Sequence, residues 1–379
     1  MKKSLLALAV AAMAASSVAS AATVYEKDGD SLGIYGRVQG VMYNGNTATL
    51  NHYDDISLQA SGRLGFDMRT QLTQGVAGFA KMEWDVADGT RGTDGGEWGV
   101  RYAWIGADFG QYGQIKGGRF EDATKYVLSS TDIFDDWGCY GQFANDPKRD
   151  GIVMYSWSGY GFDVNASFQT AQDDQYLRNV GTPNFAAKNF TNHNVDVDHA
   201  YALSAGYKSA PVLFGPIAVK AGFAHTQTQV DDVNQGAAGT QRTVDTIQDI
   251  AVSASWGDLA QGPYVGLLYN IRGVEYTKSK DLTMQGFESV LAYGFGNGVS
   301  VRTGYLYKKA EFQGYEAEAA VMPVYVNYQL NPRVNVWAEA RFDVGTEDTT
   351  QDKTLAWPAF AGGESLNEDV FSVGARYTF

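Results

Sequence analysis

Apolar and polar residues alternate with a period of two in short segments spread over nearly the whole chain, and this pattern constrains the fold more than any other feature. In a β-strand successive side chains point to opposite faces, so such a segment has one apolar and one polar side. In the last segment Phe371, Val373, Ala375, Tyr377 and Phe379 oppose Ser372, Gly374, Arg376 and Thr378. In the one before it Val334, Val336, Ala338, Ala340 and Phe342 oppose Arg333, Asn335, Trp337, Glu339 and Arg341. Near the other end Leu58, Ala60, Gly62, Leu64, Phe66 and Met68 oppose Gln59, Ser61, Arg63, Asp67 and Arg69. In the middle Phe162, Val164, Ala166 and Phe168 oppose Asp163, Asn165, Ser167 and Gln169.

The same reading gives strands near 32–42, 56–71, 76–86, 98–108, 113–119, 151–157, 162–169 and 200–208. Others fall near 217–227, 246–256, 262–271, 285–293, 299–308, 319–330, 333–342 and 370–379, which makes sixteen. Short connections carry breaker residues: Thr73-Gln74-Gly75, 110–113, 158–161, 211–216, 257–262, 294–298 and Asn331-Pro332. Between them fall long polar connections at 43–55, 87–97, 120–150, 170–199, 228–245, 272–284, 309–318 and 343–369. Tight turns at one end and large loops at the other are expected of an outer-membrane barrel, and a soluble sandwich has no reason to keep that asymmetry.

The polar faces include Arg37, Arg63, Arg69, Lys81, Glu83, Arg101, Lys220, Arg302, Arg341 and Arg376. Sixteen strands close around an interior too wide for side chains to fill. The polar face therefore lines water, and the apolar face meets lipid. The expected fold is all-β, a 16-stranded antiparallel transmembrane barrel with short periplasmic turns and long external loops. Tyr35, Trp84, Trp104, Trp157, Trp256, Tyr293, Tyr305 and Tyr328, near strand ends, suit interfacial girdles.

The first residues read as an export signal. Lys2 and Lys3 precede the apolar run Leu5–Met13, and Ala19-Ser20-Ala21 offers a small-residue cleavage site. Residues 1–21 are expected to be removed, leaving 22–379 as one barrel domain. Beyond them no run of about 18 apolar residues occurs, so helical spans are not expected. Cys139 is the single cysteine, which excludes an internal disulfide framework. A formal charge of −14 argues against nucleic-acid binding.

The charged connection 120–150 holds Glu121, Asp122, Asp132, Asp135, Asp136, Lys148 and Arg149. By composition it suits a solvated external loop, and by length it can also fold back into the lumen. Here a resemblance enters. Thr23 to Arg37 resembles the mature N-terminus of the general porins of Gram-negative enteric bacteria, and Ser61 to Phe66 resembles their second strand. Gly117-Gly118-Arg119 and Thr131 to Gly138 resemble the entry and acidic core of their third loop, and Arg376 to Phe379 their aromatic-terminated last strand.

The resemblance implies that the third loop folds into the lumen and makes an eyelet, with acidic loop residues facing a basic wall. Arg37, Arg63 and Arg101 fall at the basic positions, with Lys148 or Arg149 at the remaining one. Asp132 and Asp136 fall at the acidic positions, while Arg69, Lys81, Glu83, Arg302 and Arg341 line the lumen. Asp136 replaces a usual glutamate, Gly99 a common lysine and Cys139 a usual glycine, and the proline beside Asp136 is missing.

The function so implied is a general diffusion porin passing small hydrophilic solutes, with a modest cation preference contributed by acidic external loops. Asp173, Asp174, Asp231, Asp232, Glu347 and Asp348 carry part of that charge. The resemblance further implies a homotrimer in outer-membrane lipid and lipopolysaccharide, with loop 87–97 reaching a neighbouring barrel. Phe379 would serve as the signal read by the barrel-assembly machinery.

A sugar- or nucleoside-specific channel of the same fold is the alternative, because Tyr35, Phe79, Tyr325 and Trp337 stand on or near inward parity. Catalysis has no support: G-x-S-x-G, H-E-x-x-H, P-loop and C-x-x-C patterns are all missing. His193 and His199 bracket Asp196 and Asp198, a pattern that suits an acidic loop better than a metal site. No cofactor is expected.

Overall fold

A computed structural model describes residues 21–44, 56–87, 98–143, 148–178, 180, 182–184, 189–191, 194–229, 244–277, 280–345 and 369–379. The expected leader, 1–21, lies outside them except for Ala21, as does the tip of the second loop (88–97). The strands are β1 (Ala22–Lys27), β2 (Asp30–Asn44), β3 (Ser57–Thr73), β4 (Val76–Ala87), β5 (Gly99–Asp108), β6 (Gln114–Phe120) and β7 (Arg149–Gly159). They continue with β8 (Phe162–Gln169), β9 (Gln172–Tyr176), β10 (Thr182–Asn184), β11 (Asn189–Thr191), β12 (Asn194–Val212), β13 (Gly215–Thr228) and β14 (Val244–Gly257). The last are β15 (Gly262–Tyr276), β16 (Leu282–Gly294), β17 (Val299–Phe312), β18 (Tyr315–Asn331), β19 (Val334–Asp343) and β20 (Val370–Thr378).

Consecutive antiparallel pairing runs from β2 to β8, passes from β8 to β12, and continues to β20. β20 then pairs with β2, Arg37 opposite Thr378 through Asn44 opposite Phe371, and the ring of sixteen strands is closed. Closure leaves no edge to be satisfied in hydrocarbon. Phe379 seals the seam, its N–H and C=O each bonded to Gly36 at 2.9 Å. All sixteen expected strands are present. Outside the ring, β1 folds back on β2 through Asp28-Gly29, both at positive φ, as a tight hairpin turn requires. β9 extends the sheet beside β12, and β10 pairs with β11 separately.

The faces divide as the alternation requires. Leu58 and Ile105 are 75% and 71% exposed, and Val38, Leu203, Leu291 and Val373 also point outward. In contrast Asn335, Glu339 and Arg341 on β19 point inward and are buried. An exposed apolar exterior around a polar interior suits lipid outside and water within.

Three expectations are corrected. Connections 272–284 and 309–318 are mostly strand: β15 runs to Tyr276, β16 begins at Leu282, and β17 and β18 meet at Gln313-Gly314. Gln313 and Gly314 both take positive φ, so two residues suffice for that turn. Trp104 belongs to the lumen, because a β-bulge at Arg101 breaks the alternation. The bulge leaves Tyr102 opposite Glu83 and Trp104 opposite Lys81, all facing inward. Tyr35 also faces inward, its hydroxyl donating to Glu83 at 3.1 Å.

Candidate functional site

Residues 121–143, from the connection between β6 and β7, enter the lumen and lie along the inner wall from β13 to β20. It opens with one helical turn, α1 (Lys125–Leu128), whose Val127 and Leu128 pack on Ala251 and Leu268 of the wall. From there the wall holds the loop's backbone. Ser253 donates to the Val127 carbonyl at 2.8 Å, Tyr264 to the Ser130 carbonyl at 2.7 Å, and Asn270 to the Gly141 carbonyl at 2.6 Å. Two wall glycines permit this approach. A Cβ on Gly266 would overlap the Ser130 carbonyl, and one on Gly286 the Gly141 carbonyl.

Two buried carboxylates fix the loop at separate points. Glu339 accepts the N–H groups of Asp135, Asp136 and Trp137 at 3.1, 2.9 and 2.7 Å. Glu288 accepts the Gly141 N–H and the Gln142 amide, both at 2.9 Å, and the Thr131 hydroxyl. Carboxylates taking several N–H bonds satisfy donors that a tight loop cannot pair internally. Neither residue was singled out in the sequence, where they read as ordinary polar positions of a strand. A glutamate at an inward position facing a long loop is the signal that could have found them.

The wall of β2 to β5 opposite the loop carries charge of both signs. Arg63 Nε lies 2.9 Å from Asp85, and Arg101 contacts both Glu83 at 2.7 Å and Asp85 at 3.1 Å. Lys81 pairs with Asp67 at 3.3 Å and sits over the Tyr35 ring, and Arg69 pairs with Asp108 at 2.9 Å. Arg37 stands within electrostatic reach of Arg63, Arg101, Arg376 and Asp135. Among the described residues no carboxylate closes an ion pair on it. Glu83, Asp85 and Asp67 thus offset much of a wall that its arginines alone would make strongly cationic.

On the loop the acidic residues separate. Asp132 pairs with Lys125 at 2.9 Å and accepts from Cys139 Sγ at 3.2 Å. Asp135 pairs with Arg376 at 2.7 Å and accepts from the Tyr325 hydroxyl at 2.7 Å. Burial raises the pKa of each carboxyl. The neighbouring cation, Lys125 or Arg376, together with the hydrogen bond from Cys139 or Tyr325, outweighs burial and holds each below the ordinary value. Asp136, expected beside Asp132 on the open side, turns to the wall instead. Tyr43, Trp337 and Ser372 donate to it at 3.0, 2.9 and 2.6 Å. Three neutral donors at one carboxylate leave it little capacity toward the lumen.

The adjacent basic pair also separates. Arg149 is buried against Asp122 at 2.6 Å, whereas Lys148 meets Glu121 at 3.0 Å and lies over the Tyr102 ring. Lys148 is within electrostatic reach of Arg101, and so belongs with the wall cations. Arg302 and Arg341 line the inner wall but lie under the loop, Arg302 bonded to the Ile133 carbonyl and Arg341 to the Tyr140 hydroxyl at 2.9 Å. Tyr325 and Trp337 are buried beneath it too. His193 lies outside the described residues, and among those described no three metal-ligating side chains converge.

A family model described as Gram-negative porin matches residues 7–349. Outer membrane porin F of Salmonella typhimurium is 25% identical over 399 residues, covering 100% of both chains. A solved structure of Salmonella typhi OmpF in complex with daunomycin superposes with a TM-score of 0.73 at 19% identity, covering 94% of this chain and 100% of that one. The trimer form of OmpT, an outer membrane protein of Vibrio cholerae, superposes with a TM-score of 0.65 at 18% identity, covering 93% and 100%.

Proposed function

The chain belongs to the Gram-negative porins of the outer membrane, and on that premise we propose that it is a general diffusion porin whose eyelet lies between the inward-folded loop and the wall of β2 to β5. The observation that carries this reading is the division of charge across that gap. Asp132 and Asp135 belong to the loop, while Arg37, Arg63, Arg101 and Lys148 stand on or beside the wall. A gap of this kind holds oriented water and admits small polar solutes that can replace its hydrogen bonds. Transport is passive, and catalysis has no part in it.

Two observations favour a general pore over a sugar- or nucleoside-specific one. Tyr325 and Trp337 lie beneath the loop, and Tyr35 is covered by Lys81, so none of the three forms an open aromatic track. The offsetting of Arg63, Arg101 and Lys81 by wall carboxylates supports a modest cation preference. The chain is read as a homotrimer, by likeness to relatives such as the trimeric Vibrio protein. Its surroundings would be outer-membrane lipid and lipopolysaccharide, and Phe379 would present the seam strand to the assembly machinery. Residues 1–21 would be cleaved on export.

Liposome swelling tests the general-pore reading. Neutral sugars should enter at rates that fall smoothly with size and do not saturate. Saturation or block by one sugar or nucleoside would favour the specific channel.

A further inference from the structure

The inner wall is not polar throughout. Toward the long-loop end of β14 to β17 its inward positions include Val244, Ile247, Val274, Leu282, Met284 and Phe312, all buried. A water-filled mouth should not be lined this way, because bare apolar surface facing water is unfavourable. The cover is a second piece of chain, from the connection between β8 and β12. Leu177 and Val180, 1% and 0% exposed, join the same apolar cluster.

The wall grips this piece by its backbone. Arg272 donates to the Arg178 carbonyl at 2.6 Å, and the Tyr276 hydroxyl donates to the Val180 carbonyl at 3.1 Å. Arg272 is itself fully buried and held by Asp249 at 2.7 and 2.8 Å, so its direction is fixed. Upstream, β9 is paired with β12, Tyr176 opposite Asn194 and Gln175 opposite Val195, which delivers Leu177 inward from the rim with little slack. Arg178, between the two buried residues, has its side chain exposed.

We propose that Leu177, Arg178 and Val180 form a second, outer constriction of the pore: a shelf on the β14 to β17 side that limits solute size by its volume before the eyelet is reached. The shelf rests on apolar contacts and carbonyl anchors, whereas Asp132 and Asp135 contribute charge at the eyelet. Size limit and ion preference are therefore governed by separate elements. This inference rests on the porin reading.

The test is conductance with polyethylene glycols of graded size, in planar bilayers at about 1 M salt so that charge effects are screened. Releasing the shelf with Leu177→Gly/Val180→Gly should raise single-channel conductance by at least about 1.5-fold and admit polymers that the wild type excludes. Ion preference should stay unchanged. A folded double variant with wild-type conductance and polymer cut-off would overturn the proposal. If that variant does not fold, Arg178→Trp, which adds bulk at the exposed edge without entering the apolar cluster, should lower conductance. An unchanged value there would equally overturn it. Absence of channels in the wild type would instead remove the porin reading itself.

Discussion

Neighbouring carboxylates on the loop differ by what each one faces. Asp135 and Asp136 are adjacent and identical in type, yet Asp135 meets Arg376 while Asp136 is taken up by Tyr43, Trp337 and Ser372. Sequence alone could not separate them, because loop path rather than residue type decides which carboxylate faces the gap. The expected outcome is that Asp135→Asn lowers cation preference, read as a reversal potential in a salt gradient, more than Asp136→Asn does. A larger loss in Asp136→Asn would mean that its carboxylate faces the gap. Lys148 and Arg149 show the same limit, since only the fold tells which is locked on Asp122.

The pH response has a definite sign. Asp132 and Asp135 both have pKa values below the ordinary carboxylate value of about 4. A group with a depressed folded-state pKa contributes stability above its unfolded pKa and loses it as pH falls through the folded one. Eyelet charge and the loop contacts of Asp135 should therefore persist from neutral pH down through pH 5, and weaken only below about pH 4. Loss of cation preference between pH 7 and 5 would contradict this assignment.

Among the elements, the strands were readable and the loop's fixation was not. Sixteen strands follow from alternation because one face of each must meet lipid, and that requirement is local and repeats along the chain. Strict alternation fails at β5, where the bulge at Arg101 turns Tyr102 and Trp104 inward, and at the outer halves of β14 to β17, where inward residues are apolar. Both departures depend on partners distant in sequence. The inward loop is fixed by Glu288 and Glu339, each accepting several donors from it. Removing either leaves buried N–H groups unpaired, at a cost of about 1–3 kcal/mol per group. Glu288→Ala/Glu339→Ala should raise open-channel current noise and expose residues 121–148 to added protease. A quiet, protease-resistant double variant would show that the remaining wall contacts suffice.

For the whole molecule, closure joins the levels. The ring removes strand edges, its width makes the polar face a water-filled wall, and the inward loop narrows it. The seam is made by β2 and β20, and the two backbone bonds between Phe379 and Gly36 complete it. The most direct test is single-channel conductance of the detergent-extracted protein in planar bilayers across a range of potassium chloride concentrations. A water-filled diffusion pore predicts ohmic steps that arrive in threes, with conductance rising in proportion to the bulk salt without saturating. Conductance that saturates with salt, or membranes that stay silent, would contradict an open eyelet and point to a binding-limited or plugged barrel.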